Sequence, residues 1–297
     1  ECFEIIVVDN ASTDNTLDVV SKRFAGVKQV PLEKNLGYGG GNNEGLRHAR
    51  NDILAFLNQD TICHRNWLSE LVMPFSFDER IAACSSNIIP SKYNEVAELK
   101  QKYPLDYIYF CDLSPYGYGR FRTVRNKKYL FSNFVSGCAF AIRRDILNNM
   151  GYLFDERLWM YAEDTDLSLR ILNMGKCICV AKDSVVCHLH DNEIEISRFA
   201  MSLSFQAIMN RIYAFYKNMS GIEFFLYFPF LLLGGIFKVT EFPLKPSKKV
   251  FYFIPFGMFS AAAMLKAIWH MTDFRHKKKN VMNKRAINNF SIYKFLF

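Results

Sequence analysis

Two short apolar runs, each ending in an acidic residue, constrain the fold of this chain most. Residues 3–10, FEIIVVDN, and residues 52–60, DILAFLNQD, have the apolar character of strands that are buried on both faces. A helical pattern follows each run, with Ser12 or Asp14 available to cap the first helix. Strands that alternate with helices predict an α/β fold with a mainly parallel sheet, whose ligands bind at the carboxyl ends of the strands.

The alternation continues to a helix predicted over residues 197–218, so we expect one α/β domain over residues 1–218. Within it, residues 90–130 are aromatic and polar without a clear period, which predicts a long loop that covers a site. The eight cysteines form no CxxC pair, as is typical of reduced thiols in a cytosolic protein. Cys177 and Cys179 share one face of a predicted strand, which favours packing over a metal site.

Residues 219–297 form a tail of different composition, with 12 Lys and Arg against 3 Asp and Glu. Its apolar runs, 224–237 and 250–265, are shorter than the roughly 20 residues that span a bilayer. With the basic residues at 276–279 and 284–285, they predict a membrane-associated helical tail that faces anionic lipid on the cytoplasmic side of the plasma membrane. The alternative is a helical subdomain packed on the catalytic domain. Because these cations accompany apolar helices, we do not expect nucleic-acid binding.

Polar residues follow the predicted strands where a ligand would bind. Asp9 can accept hydrogen bonds from a nucleoside or cap the following helix, and the sequence leaves both open. Asn58 and Asp60 end the second run, where Asp60 can supply an oxygen ligand to Mg²⁺ or Mn²⁺. His188 ends a later strand and is either a further metal ligand or a structural histidine.

A cluster of acids lies within residues 154–170, FDERLWMYAEDTDLSLR. Asp166 is four residues before Arg170, the spacing of a structural ion pair on a helix. Glu163 and Asp164 have no neighbouring cation in sequence, and an apolar WMY stretch precedes them. Such a pair is suited to a raised pKa and to general-base work on a sugar hydroxyl, although a solvated helix start is the plain alternative.

The glycine-rich segment 35–45, NLGYGGGNNEG, predicts either a close approach of the backbone to a ligand or a flexible turn, with a helix from Asn43. It is neither a GxGxxG loop after a strand nor a GxxxxGK[ST] loop, which disfavours dinucleotide-binding folds and P-loop ATPases.

Six motifs occur in one order, and together they resemble the family 2 glycosyltransferases of the GT-A fold, particularly the rhamnosyltransferase-like branch. The resemblance covers residues 3 to 217 and rests on VVDNASTD, NLGYGGGNNEG, FLNQDT, VSGCAFAIRRD, FDERLWMYAEDTDLSLR and a strand that ends in His. It implies a Rossmann-like domain whose nucleotide-sugar contacts include Asp9, Asn35, Gly37, Asn58 and Gly137.

The same resemblance implies that Asp60 and His188 hold Mg²⁺ or Mn²⁺, that Asp164 is the catalytic base and that Glu163 supports the acceptor. The implied reaction is an inverting transfer from a nucleotide-sugar to a glycan or lipid-linked acceptor in cell-envelope polysaccharide synthesis. A non-catalytic, membrane-attached nucleotide-sugar-binding module is the alternative. A nucleotidyltransferase shares the α/β plan but would need a basic glycine-rich loop near the start.

One departure from the family concerns its first strand, with a SIIIPTYN-like sequence, which this sequence lacks. In the family that strand lies between the strands found here at Ile5 and Leu54, so its absence would leave unpaired edges on both neighbours. We therefore expect the chain to be part of a longer protein and to have poor activity when isolated.

Overall fold

A computed structural model describes residues 3–91, 105–189, 198–237 and 261–287. The strands are β1 (Ile6–Asp9), β2 (Lys28–Pro31), β3 (Ile53–Leu57), β4 (Thr61–Cys63), β5 (Ile81–Ser91), β6 (Tyr107–Leu113), β7 (Gly119–Arg125), β8 (Tyr129–Ser132), β9 (Ala139–Arg143) and β10 (Cys177–Leu189). The helices are α1 (Thr16–Arg23), α2 (Gly37–His48), α3 (Trp67–Val72), α4 (Arg144–Met150), α5 (Glu163–Asn173), α6 (Arg198–Asn218), α7 (Gly221–Phe237), α8 (261–269) and α9 (Arg275–Asn283). Short 3₁₀ helices are Met73–Ser76, Glu156–Leu158 and Met271–Phe274.

The main sheet has the order β3-β9-β5-β10-β4, and β8 also pairs with β10. Its β5–β10 pair is parallel, whereas β9 is antiparallel to both β3 and β5, and β10 is antiparallel to β4 and β8. The prediction of a mainly parallel sheet is therefore wrong. The strand β9 follows β8 without an intervening helix, and antiparallel pairs need no helical crossover.

The first two strands form a separate parallel pair, β1–β2. Among the described strands, β1 pairs only with β2 and β3 only with β9, so each has an edge without a strand neighbour there. Helix α2 covers β1 closely, because a side chain at Gly45 would lie 2.8 Å from the Val8 side chain. This packing fixes Asp9, at the end of β1, next to the start of α2.

The stretch predicted as a loop over 90–130 contains a β-hairpin, β6–β7. Asp112 on β6 is paired with Arg120 and Arg122 on β7, and Tyr109 stacks on Phe121 with ring centroids 5.4 Å apart. Aromatic and charged residues stand on both faces of this hairpin, so the alternation that marks a half-buried strand is hidden in the sequence. Residues 92–104 lie outside the described residues.

A buried ion network joins α5, α6 and α9. The Lys217 ammonium lies 2.9 Å from an Asp155 oxygen and 2.8 Å from an Asp166 oxygen, and Arg170 pairs with Asp166 at 2.9 Å. Lys277 of α9 also reaches Asp155. Burial raises the pKa of Asp155, but the attraction of Lys217 and Lys277 outweighs it and lowers that pKa to about 2. The predicted Asp166–Arg170 pair is confirmed within this larger network.

Charged residues of the tail pair both with one another and with the α/β domain. Glu223 on α7 accepts two hydrogen bonds from Arg285, at 2.6 and 2.7 Å, and both side chains are buried. Lys284 donates to the Asn149 carbonyl at 2.6 Å. Two of the cations predicted to face lipid therefore hold α9 to the protein.

Lys277 and Lys278 behave in the same way. Lys277 enters the ion network described above, and the Lys278 ammonium lies 4.1 Å from the centroid of the Tyr216 ring. Burial lowers the pKa of Lys278 to about 8. These contacts match the alternative of a helical subdomain packed on the domain. No helix in the described ranges is both long and apolar enough to span a membrane, and residues 250–260 of the second apolar run lie outside those ranges.

We expect Lys217→Met to lower the free energy of unfolding by about 3 kcal/mol or more, because it leaves two buried carboxylates short of a cation. Equilibrium unfolding in urea measures the change. Lys22→Met, at an exposed position on α1, is the matched control and should change stability by less than about 0.5 kcal/mol. Equal stability of the two variants would contradict the importance of this network.

Candidate active site

The segment before α5 has an unusual backbone conformation. Trp159, Tyr161 and Ala162 have φ values of 46°, 69° and 66°, in the left-handed region that disfavours residues with a side chain. The buried amide of Asn210 on α6 donates to the carbonyls of Met160 and Tyr161, at 2.8 and 3.1 Å. Helix α6 thus holds this segment in place, and with it the first residues of α5.

The predicted acidic pair opens α5. Glu163 is buried, and its Oε2 atom has no hydrogen-bond partner among the described residues. Burial first, and then the charges of Asp164 and Asp166, raise the pKa of Glu163 to about 8. Burial also raises the pKa of Asp164 to about 6, although hydrogen bonds from Thr165 and the Gly137 N–H oppose the rise. The two carboxyls titrate together, and near neutral pH the proton resides mainly on Glu163.

Gly137 lies between the acidic pair and α2. Its carbonyl accepts a hydrogen bond of 2.5 Å from the Tyr38 hydroxyl, and its N–H lies near enough to Asp164 to lower the pKa of that carboxyl. A Cβ atom at Gly137 would lie 3.3 Å from the Tyr38 oxygen and 3.7 Å from Cβ of Asp164. Burial and the charges of Glu163 and Asp164 raise the pKa of Tyr38 well above its usual value, so it remains a donor. Gly137 therefore stands at the predicted site, and Tyr38 is a neighbour that the sequence did not single out.

The loop after β1 is organised by Asp9 and Asn10. Asp9 is buried and accepts a hydrogen bond from the Ser12 N–H at 3.3 Å. It does not cap α1, which begins at Thr16 after Asn15 and has no side-chain cap hydrogen bond. Asn10 donates to the Asn35 side chain at 3.1 Å and to the Gly37 carbonyl at 3.0 Å, and it accepts from the Leu36 N–H at 2.8 Å. Asn35 is exposed beside this crosslink. Asp9 and Asn35 are thus brought to one edge of the fold, with Asn10 as the residue that sequence reasoning missed.

Gly37 is needed for packing against the segment before α5. Its φ is 73°, and a Cβ atom there would lie 2.3 Å from the Trp159 carbonyl oxygen. Its N–H donates to Asn35 and its carbonyl accepts from Asn10. The close approach in the structure is therefore to Trp159, and contact of Gly37 with a nucleotide-sugar stays a prediction.

Helix α2 begins at Gly37, six residues before the predicted start at Asn43. Glycine is a weak helix former, but a side chain at Gly39 would crowd Phe154, with 3.2 Å to its Cβ. Tight packing explains why the helix begins among glycines. It brings Tyr38, whose N–H donates to the Trp159 carbonyl at 3.0 Å, against the acidic pair.

The predicted metal ligands Asp60 and His188 meet at the ends of β3 and β10. His188 Nε2 lies 3.2 Å from Asp60 Oδ2, while Asp60 Oδ1 is buried without a hydrogen-bond partner in the described part of the chain. A buried carboxylate oxygen without a partner fits a cation, and Mg²⁺ and Mn²⁺ prefer oxygen ligands. No group of three or more His, Cys, Asp or Glu side chains with metal-binding geometry occurs among the described residues. A bound ion would therefore take its remaining ligands from substrate phosphates and water.

Asn58 connects this pair to the acidic pair. Its N–H donates to the Cys138 carbonyl at 2.9 Å, and its carbonyl accepts from the Thr61 hydroxyl at 2.6 Å. Cys138 follows Gly137, which contacts Asp164. The residues at 137 and 138 thus link the metal-ligand candidates to the candidate base.

A sequence profile of the family described as "Glycosyl transferase family 2" matches residues 1–151, just over half of the chain. The probable glycosyltransferase YdaM of Bacillus subtilis (strain 168) is 26% identical over 179 residues, which cover 58% of this chain and 40% of that protein. The O-antigen chain rhamnosyltransferase WbaN of Salmonella anatum is 24% identical over 196 residues, which cover 63% of this chain and 57% of that protein. The chain thus spans less than two thirds of the length of these relatives.

Two solved structures share the fold. A structure of GalNAc-T7 with UDP, GalNAc and Mn²⁺ superposes with a TM-score of 0.55 at 19% identity, over 71% of this chain and 41% of that one. A structure of S. aureus TarS 1-349 superposes with a TM-score of 0.53 at 15% identity, over 95% of this chain and 79% of that one. The predicted GT-A type of fold is confirmed by this likeness, with a mixed sheet in place of a mainly parallel one. The order of motifs from Asp9 to His188 predicted the same relationship, and the extent of the profile match establishes that the chain belongs to glycosyl transferase family 2.

Proposed function

We propose that this chain transfers a sugar, with inversion, from a nucleotide-sugar to a hydroxyl of a glycan or lipid-linked acceptor in cell-envelope polysaccharide synthesis. The observation that supports it most is the environment of Asp164. Its carboxyl group has a pKa raised to about 6 and is fixed by Gly137 and Thr165, beside an acid that retains its proton. Two similar proteins support this class of donor and acceptor. WbaN is named an O-antigen chain rhamnosyltransferase, and GalNAc-T7 was solved with UDP and GalNAc.

In the proposed reaction, Asp164 accepts the proton of the acceptor hydroxyl as its oxygen bonds to the anomeric carbon. The bond from that carbon to the nucleoside diphosphate breaks in the same displacement, so the configuration inverts without a covalent enzyme intermediate. A carboxylate with a pKa near 6 is ionised at neutral pH and is more basic than an ordinary aspartate. Glu163, protonated near neutral pH, can donate a hydrogen bond to an acceptor oxygen.

Asp60 and His188 would hold Mg²⁺ or Mn²⁺, which when bound offsets the negative charge on the departing diphosphate. Asp9, Asn35 and Asn58 are the proposed contacts to the nucleotide part of the donor. The Asn10 crosslink keeps the loop that carries Asn35 close to β1, so these polar groups need little reorganisation when the donor binds.

Asp164→Asn should lower the turnover number about 10²–10⁴-fold, because an amide of nearly the same shape cannot accept the proton. A screen of nucleotide-sugars identifies the donor, and released nucleoside diphosphate reports turnover. Donor affinity, measured by calorimetry, should remain within about twofold. Asp18→Asn, on the surface of α1, is the matched control with unchanged activity. Full turnover by Asp164→Asn would refute the role of Asp164 as the base, whereas failure of the unmodified protein to cleave any donor would favour the non-catalytic binding module.

Glu163→Gln should stabilise the fold, increasingly as the pH rises from about 4.5 to about 8. The folded pKa lies above the unfolded one, so the folded state binds the extra proton in this window and loses stability as the pH increases. Glutamine does not titrate, and relief of the buried charge is worth about 1–3 kcal/mol at the alkaline end. Thermal unfolding at several pH values measures the difference from wild type. Glu33→Gln, at an exposed position, should show no such trend, and a pH-independent effect of Glu163→Gln would contradict the raised pKa.

Metal dependence is tested at Asp60. Chelation by EDTA should abolish turnover and added Mn²⁺ or Mg²⁺ should restore it, while Asp60→Asn raises the metal concentration for half-maximal activity by about 10–100-fold. His188→Ala should raise it less, because an uncharged ligand is lost. Undiminished turnover in EDTA would refute the metal role, whereas equal metal requirements in wild type and Asp60→Asn would place the metal elsewhere.

A further inference from the structure

Helix α8 has one face packed into the protein and one face of large apolar side chains in solvent. Ala263 and Ala267 are buried in a cluster with residues of α6. On the other side, Leu265 is 68%, Ile268 44% and Trp269 82% exposed. Isolated exposed apolar residues are common, but three within five positions that include an exposed tryptophan indicate a surface that contacts an apolar partner.

The neighbouring helix α7 has a similar exposed face. Phe224 and Phe228 of α7 pack against the cluster that contains Met264 of α8, so the two helices share a buried seam. Phe225 and Leu226, one and two positions further along α7, are 77% and 50% exposed. Both helices of the seam therefore present apolar side chains to solvent.

An open cavity of about 730 Å³ lies between α6, α8 and the 3₁₀ helix Met271–Phe274. It has an amphipathic lining, in which apolar rings and a thioether stand beside cationic side chains. The apolar members include Phe205, Met209 and Tyr213, and the cationic ones are Arg157, Lys266 and, when protonated, His270. A ligand that matches this lining is apolar over part of its length and negatively charged at one end.

The charges of the cavity favour an anion. Lys266 is exposed, its ammonium lies 5.7 Å from the centroid of the Phe205 ring, and it has no carboxylate partner among the described residues. The Arg157 guanidinium lies over the Phe274 ring at 5.4 Å. Asp273 is the acid in the lining, and its carboxylate lies 3.2 Å from His270 Nδ1. Two permanent cations thus face one carboxylate, which already has a partner.

We propose that the outer edge of α8 docks on an anionic lipid bilayer, with Leu265, Ile268 and Trp269 in the interface and a lipid phosphate beside Lys266 in the cavity. Tryptophan is enriched where headgroups meet acyl chains, and each Lys or Arg near an anionic surface adds about 1 kcal/mol of attraction. The cytoplasmic leaflet supplies such a surface, which makes this chain a peripheral protein of the inner face of the plasma membrane. The inference does not depend on the proposed glycosyl transfer.

The proposal differs from a lipid contact through the basic stretch 276–285. Four cations of that stretch contact the protein, at Asp155, Tyr216, Asn149 and Glu223. Lipid-facing charge is therefore assigned to Lys266 and the cavity, on the same helix as the exposed tryptophan.

Co-sedimentation of the full chain with vesicles tests this surface. The protein should bind vesicles that contain phosphatidylglycerol, and more weakly vesicles of phosphatidylcholine alone. The double variant Ile268→Ser with Trp269→Ser should lower the partition coefficient by roughly tenfold or more, since two apolar side chains are no longer buried in lipid. Lys266→Gln should lower it about fivefold on anionic vesicles and leave binding to neutral vesicles unchanged.

Matched controls use two exposed residues, Phe24→Ser just after α1 for the apolar change and Lys22→Gln on α1 for the charge, and both should bind as wild type does. All substituted side chains are exposed, and thermal unfolding confirms that each variant folds. Wild-type binding by the α8 variants, or equal binding to neutral and anionic vesicles, would overturn the proposal. Release of the protein from the vesicles by inorganic phosphate as complete as that caused by the double variant would identify a free phosphate, not a bilayer, as the ligand.

Discussion

The Lys217 ammonium, held between Asp155 and Asp166 in the interior, is the interaction on which the arrangement of the candidate site depends. Removing three charges from water costs several kcal/mol each, and the cost is offset only where partners and geometry are nearly ideal. Here Arg170, Lys277 and the Asn218 amide satisfy the remaining carboxylate oxygens. A displacement of α6 against α5 would leave these charges unpaired. The same two helices carry Asn210, which holds the segment before α5, and Asp164, the candidate base. The ion network therefore fixes Asn210 relative to Asp164.

Helix α5 contains carboxyls with opposite electrostatic environments within a single turn. Asp166 is paired with two cations, Arg170 and Lys217. Glu163 and Asp164 face no cation in the described residues, and burial raises the pKa of both. The helix start is therefore less stable than it would be with neutral side chains, which is common where function requires a group that binds a proton near neutral pH. The ion network around Lys217 stabilises the rest of α5 and so offsets the lower stability of the start of this helix.

Local patterns in the sequence predicted local features of the structure. The Asp166–Arg170 pair follows from i,i+4 spacing, and strands such as β1, β3 and β10 follow from continuous apolar runs. Features that depend on distant residues were not predictable in this way. Lys217 is far from Asp155 in sequence, and nothing near Asn210 indicates that its amide holds the segment before α5. The orientation of β9 was also missed, because an apolar strand has the same composition in either direction. The sequence alone also does not reveal that Trp159 approaches the α-carbon of Gly37.

The contacts of the basic residues in the tail were also not predictable from the sequence, because they depend on distant residues. The composition of the tail is basic and apolar, and both properties favour contact with lipid. Composition does not show, however, whether a given side chain faces the protein or the solvent. In the structure Lys277 and Lys278 of α9 contact Asp155 and Tyr216, and Lys284 and Arg285 just after it contact Asn149 and Glu223. These four cations therefore stabilise the fold. The exposure of the large side chains of α8 could not be predicted from the sequence, because an apolar run does not show which of its residues will be buried. What distinguishes α8 is the contrast between its two faces, with small residues towards α6 and large ones towards solvent. A helix that packs through alanine approaches its neighbour closely and leaves its bulky side chains outside. Here those side chains stand beside Lys266, which has no carboxylate partner among the described residues.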